Sequence, residues 1–159
     1  MEYKNILVER KESVVSITLN RPRKLNAMSL ELIQELMDQF YQLRTDTDIR
    51  VFAVDSDGDV SLLIPLFMET GINMMLPFEV QAGMDVRRVR ESYPGLVIIG
   101  GLDKRALFTD TAAIEREVKP KVEEMLPSGG FIPSLDHNVP PEVSLANFKK
   151  YLEILRGMY

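Results

Sequence analysis

Four times after residue 50 the chain runs from a short apolar strand into a helix, and that alternation limits its folding more than any other feature. Strands at 51–54, 72–78, 96–100 and 131–134 are followed by helices at 61–70, 84–92, 110–125 and 144–156. Consecutive strands joined through helices enter a sheet in parallel by right-handed crossovers. The continuous apolar run Val51 to Val54 suits a buried parallel strand. Gly71 and Pro94 close two of the helices, while Pro65 and Pro120 fall inside others, where a missing N–H makes the boundaries less regular. A parallel sheet of this kind offers ligands the carboxyl ends of its strands.

The first third has a different pattern. Residues 6–9 and 14–19 are β-branched and flank a charged link, which reads as a hairpin. Val15, Ile17 and Leu19 share one face. Ser29 then offers an N-cap to a helix carrying Leu32, Ile33, Leu36, Met37, Phe40 and Leu43 at three- and four-residue spacing. The expected architecture is therefore α/β: an N-terminal hairpin plus helix, then four βα units. Charge divides along the same line. Residues 1–54 carry 8 basic and 8 acidic side chains and residues 55–159 carry 11 and 16, so the net −5 belongs to the second segment.

Composition excludes several classes. With no cysteine among 159 residues, disulfides, thiolate zinc sites and cysteine nucleophiles are ruled out, and histidine chemistry is confined to His137. Mild acidity argues against a nucleic-acid partner. No apolar run approaches the roughly 20 residues of a membrane helix, and the polar start lacks a signal peptide's apolar centre. A cytoplasmic protein is expected. There is no Walker or Rossmann glycine loop, no G-x-S-x-G elbow and no H-E-x-x-H.

Candidate chemistry lies just past the strand ends: Asp55, Asp57 and Asp59 after the first parallel strand, Glu79 and Gln81 after the second, Asp103, Lys104 and Arg105 after the third, Asp136, His137 and Asn138 after the fourth. All would meet at one rim. Asp55 and Asp57 either cap the following helix or take part in a site; a calcium loop fits poorly, with Val60 and Leu66 where glycine and glutamate belong. His137 beside Asp136 is either an acid/base or ligand tuned by that carboxylate, or a solvent-facing loop residue. Lys104 and Arg105 either receive an anionic small molecule or form a salt bridge. Arg87, Arg88 and Arg90 read as a solvated helix face, and Met37, Met74 and Met75 as core filler.

Two resemblances emerge. Residues 1–54, through Leu19-Asn20-Arg21-Pro22 and Asn26-Ala27-Met28, resemble the start of the enoyl-CoA hydratase/isomerase (crotonase) family. In that family the turn at Asn26 and Ala27 lies near coenzyme A, and a later glycine-rich oxyanion segment has no counterpart here. Residues 51–159 resemble the C-terminal half of the uroporphyrinogen decarboxylase and corrinoid methyltransferase family. Leu76-Pro77-Phe78-Glu79-Val80-Gln81-Ala82-Gly83, Ile99-Gly100-Gly101-Leu102-Asp103 and Phe131-Ile132-Pro133 through Asp136-His137-Asn138 carry that likeness.

The second resemblance implies a TIM barrel, of which this chain supplies four βα units, a half barrel. It implies substrate contact for His137, and Asp55 and Asp57 where the methyltransferase branch has His-x-Cys. Asp55, Asp57 and His137 would then suit a harder divalent metal than thiolate zinc. No cofactor is otherwise implied. The whole reads as a single chimeric α/β domain joined at Val51–Val54, with residues too few to complete either enzyme. Three functions follow from it: a uroporphyrinogen-decarboxylase-like protein with catalytic or metal-holding Asp55, Asp57 and His137 and substrate-binding Glu79, Gln81, Lys104 and Arg105; a crotonase-like acyl-CoA protein; or an inert folded chain. The two sheet edges would be covered either by the N-terminal hairpin and helix or by a second copy that rebuilds eight strands as a homodimer; self-association is the expectation adopted.

Overall fold

The computed structural model describes residues 3–159. Strands β1 (Ile6–Lys11) and β2 (Val14–Leu19) form the expected antiparallel hairpin, with Ile6 opposite Leu19 and Lys11 opposite Val14. Helix α1 (Leu30–Leu43) follows, capped by the Ser29 side chain, which accepts from the Leu32 N–H at 3.3 Å. Glu35 fastens α1 to the start of β1 by accepting from the backbone and side-chain N–H groups of Asn5. Leu32 and Leu43 are buried, and Phe40 meets Phe52 edge to face at 6.3 Å, joining α1 to the chain that enters the next sheet. Met37 differs from expectation. It is 45% exposed, because α1 buries only the face turned to the hairpin.

The second sheet is parallel and follows sequence order: β3 (Ala53–Asp55), β4 (Met74–Leu76), β5 (Val97–Leu102) and β6 (Phe131–Leu135). Between them lie α2 (Ile64–Glu69), α3 (Val86–Ser92) and α4 (Thr111–Met125), and α5 (Leu145–Arg156) follows β6. This is the expected α/β half barrel. The helices share one face of the sheet. There Met75, Ile98, Leu102 and Phe131 pack on Ile64, Val86, Val89, Ile114, Val118, Val122 and Ile154. On the opposite face only α5 reaches over the strands, and Ile132, which points that way, is 50% exposed.

That open face corrects the expectation for Val51 to Val54. The strand is Ala53–Asp55 at a sheet edge, exposed and half-buried by turns, because it has a neighbour on one side and helices on one face only. The residues just before it are held by Asn73, whose side chain accepts from Phe52 N–H and donates to the Arg50 carbonyl. At the other edge, Ile98 N–H bonds to Gly130 O and Asp136 N–H to Leu102 O. By alternation Phe131, Pro133 and Leu135 turn outward, and Pro133 brings no donor to that edge.

The prolines behave differently. Pro65 stands in the first turn of α2, where its missing N–H would be unpaired anyway, so the helix begins later than expected. Pro120 sits on the exposed side of an α4 that runs on to Met125.

Arg90 corrects the reading of a solvated arginine face. Its guanidinium donates to the carbonyls of Pro94, Leu96, Gly129 and Gly130 at 2.7–3.0 Å, tying together the turns that start β5 and β6. Arg87 pairs with Asp85 at 2.7 Å and lies 3.8 Å from Glu124; only Arg88 keeps the expected exposed position with no ion pair among the described residues.

Candidate functional site

The strand ends open onto a cavity of about 880 Å³. Leu76, Pro77 and Ile99 form its floor, Phe148, Tyr151 and Leu152 of α5 one wall, and Asp55, Asp57, Ser134, His137 and Asn138 its polar rim. The volume falls in the range of small-molecule sites.

His137 and Asp57 meet across this opening. The His137 Nε2 lies 3.3 Å from Asp57 Oδ1, although the two residues follow β6 and β3, the outermost strands. Strands three steps apart in a flat sheet are separated by about 14 Å. Both residues stand two positions past their strands, so the contact is made by the loops after β3 and β6 leaning toward each other. His137 Nδ1 is buried and makes no hydrogen bond among the described residues.

The carboxylate expected to orient His137 is elsewhere. Asp136 is 0% exposed and turned away from the rim: its Oδ2 accepts from Val80 N–H at 3.0 Å and its Oδ1 from Lys104 N–H at 3.2 Å. It ties the loops after β4, β5 and β6 together. Glu79 has a comparable task, accepting from Gly58 N–H at 3.0 Å and so holding the loop that carries Asp57. Gln81 is exposed in the turn Val80–Ala82 and does not line the cavity.

Neither Asp55 nor Asp57 caps α2, which starts from Leu63 without a side-chain cap; Asp59 instead accepts from Ser61 N–H at 2.9 Å. Among the described residues no three His, Asp or Glu side chains lie close enough together to hold a metal ion.

Lys104 and Arg105 are not part of this cavity. Arg105 pairs with Asp103 at 2.6 Å and lines a shallow depression beside Arg116 and Glu117. Burial pushes the Asp103 carboxyl up, but the Arg105 guanidinium and backbone N–H together outweigh it and hold it below the usual carboxylate range. Beneath them Lys121, buried, donates to Gly101 O at 2.9 Å and to Glu117 Oε1 at 2.5 Å. Glu117 in turn accepts from Asp103 N–H. No sequence signal marked Lys121, since a lysine on an amphipathic helix ordinarily points outward.

Tyr151, on the cavity wall, is 4% exposed. Burial pushes its phenol up to about 12; the neighbouring Tyr159 adds to the rise, and the Leu135 backbone pulls the other way. A phenol whose folded pKa lies above its unfolded value stabilises the fold fully below about pH 10 and loses that contribution as pH rises toward 12. We expect unfolding free energies from urea titrations at pH 8 and pH 11.5 to differ by on the order of 2 kcal/mol more in the native chain than in Tyr151→Phe. Parallel pH profiles for the two chains would contradict this.

A parallel βα sheet with a polar-rimmed cavity at its strand carboxyl ends is the arrangement of a βα-barrel-type fold. The chain belongs to the uroporphyrinogen decarboxylase (URO-D) family, which it matches over residues 15–158. That match begins within β2 and so overlaps the segment read as crotonase-like.

Curated relatives carry the second resemblance. The chain is 38% identical to 3-hydroxyisobutyryl-CoA hydrolase 1 of Arabidopsis thaliana over 53 residues, 33% of this chain and 14% of that protein. It is 27% identical to crotonyl-CoA hydratase of Syntrophomonas wolfei over 63 residues, 40% and 24% respectively. It is 45% identical to a probable enoyl-CoA hydratase of Mycobacterium bovis over 49 residues, 31% and 19%. The chain thus spans no more than 24% of the length of these relatives.

Proposed function

We propose that the chain is a ligand-binding half barrel of the URO-D family that does not by itself complete decarboxylation or methyl transfer. The observation that carries this is the pairing of His137 with Asp57 over an apolar floor, with a second carboxylate, Asp55, on the same rim. Two carboxylates accept hydrogen bonds from N–H donors. Among the described residues no lysine or arginine lines the cavity to grip an acid group. A tetrapyrrole meets both conditions when its pyrrole N–H groups face the rim and its peripheral carboxylates stay in water.

Calorimetric titration with a tetrapyrrole carboxylate, a corrinoid and an acyl-CoA tests this reading. Saturable binding of the tetrapyrrole, weakened at least tenfold in Asp57→Asn and His137→Ala, is the expected result. Binding of the acyl-CoA alone would favour the crotonase-like alternative that the curated relatives support, and binding of none would leave the inert reading.

A further inference from the structure

Where the hairpin and α1 meet the chain that enters β3 lies a second cavity, of about 680 Å³. It shares no lining residue with the cavity at the strand ends. We propose that it binds a straight-chain carboxylic acid of about eight to ten carbons, its chain between β2 and α1 and its carboxylate at Arg50. This site is independent of the tetrapyrrole reading. The turn at Asn26 and Ala27 does not line it either.

Shape selects the chain. Val15 and Ile17, on the more covered face of β2, form one wall, and Leu36, Phe40 and Leu43 of α1 form another. From Leu36 to Leu43 the helix advances about 10 Å. An extended chain covers that distance in about eight bonds, at roughly 1.2 Å per bond. The two aromatic rings of the lining, Phe40 and Phe52, meet each other edge to face at 6.3 Å, so they do not form a parallel pair between which a flat ligand could stack. At the mouth Val14 and Val51 are 64% and 48% exposed, and an alkyl chain lying in the cavity would cover apolar surface there.

Charge selects the head group. Arg10, near the far end of β1, holds both Asp46 and Asp48, which brings the turn after α1 to the hairpin turn. Ser13, Thr47 and Asp48 therefore line the same end of the cavity, and Arg50 follows shortly after. Asp48 is engaged: its Oδ2 accepts from Arg10 at 3.2 Å. The groups left over are donors. The Ser13 and Thr47 hydroxyls make no hydrogen bond among the described residues. The Arg50 guanidinium is in no ion pair among them, and only the Arg50 backbone carbonyl is bonded, accepting from the Asn73 side chain. A carboxylate accepts from a guanidinium and from hydroxyls alike. An ammonium head would instead have to compete with Arg10 for Asp48.

Calorimetric titration of the full chain with octanoate, decanoate, decanol and decylamine, each below its micelle concentration, tests the site. Decanoate should bind once per chain and about 15-fold more tightly than octanoate, since each buried methylene contributes about fourfold. It should also bind at least about tenfold more tightly than decylamine. Arg50→Gln, at an exposed position, should erase the preference for decanoate over decanol while keeping the dependence on chain length. Decanoate should shift the methyl resonances of Val15, Ile17, Leu36 and Leu43 and leave those of Leu76 and Leu152, in the other cavity, in place. His137→Ala should take up decanoate as the native chain does, whatever becomes of tetrapyrrole binding. The absence of saturable binding, the result if another protein surface covers the groove, overturns the proposal. So does decylamine binding as tightly as decanoate, an Arg50→Gln chain with its head-group preference intact, or methyl shifts centred on Leu76 and Leu152.

Discussion

Replacing Gly100 by alanine is expected to cost more than about 4 kcal/mol and to leave little folded protein at 37 °C. Gly100 has φ +107°, and a Cβ built there would stand 2.1 Å from the Pro77 carbonyl oxygen. Backbone strain at such a φ costs about 1–3 kcal/mol alone. The clash adds to it and cannot be relieved by a rotamer change, because the obstacle is main chain. Its neighbour explains why the backbone comes so close. Gly101 N–H donates to that same Pro77 carbonyl at 2.9 Å, and a Cβ on Gly101 would lie 2.1 Å from Val86 Cγ1 at the start of α3. The glycine pair lets β4's end and α3 settle onto β5, which places Leu76, Pro77 and Ile99 as one cavity floor. Urea denaturation followed by circular dichroism provides the measure. Gly95→Ala, where φ is ordinary and nothing lies within 4 Å of the new Cβ, is the control and should stay within about 0.5 kcal/mol of the native chain. Equal midpoints for Gly100→Ala and the control would refute the steric account.

Much of this arrangement could be read from the residues. Period-two alternation picked out the more covered face of β2, Val15, Ile17 and Leu19, the Ser29 cap marked the start of α1, and the strand–helix succession pointed to the parallel sheet. These features are local, set by patterns within ten or so residues. What could not be read depends on contacts between distant segments. Arg87, Arg88 and Arg90 look alike in sequence, yet only Arg90 faces four carbonyls supplied by turns at 94–96 and 129–130. Asp57 and His137, 80 positions apart, meet only because the loops after the two outermost strands lean together. Met37 fitted an apolar helix pattern equally well on either of two faces, and only the placement of the hairpin decided which one is covered.

The adjacent pair Asp136-His137 makes the same point energetically, and the two residues should respond to mutation in opposite ways. Asp136→Ala is expected to lose about 3 kcal/mol, because the Val80 and Lys104 N–H groups would be left in the interior without acceptors, at roughly 1–3 kcal/mol each. Asp136→Asn keeps one acceptor but turns an N–H donor toward the other amide, so it should recover only part of the loss. His137→Ala should cost less than about 1 kcal/mol: its polar partner Asp57 is 75% exposed, and a contact so open to water contributes little. Ligand binding should show the reverse order when read under conditions where both variants are folded, falling sharply with His137→Ala and modestly with Asp136→Asn. Hydrogen exchange at the Val80 and Lys104 amides separates the two roles, since it should accelerate with the loss of Asp136 and stay unchanged with the loss of His137. Were His137→Ala the more destabilising variant, or were those amides equally protected without Asp136, the buried carboxylate would not be the tie that holds the three loops of the rim.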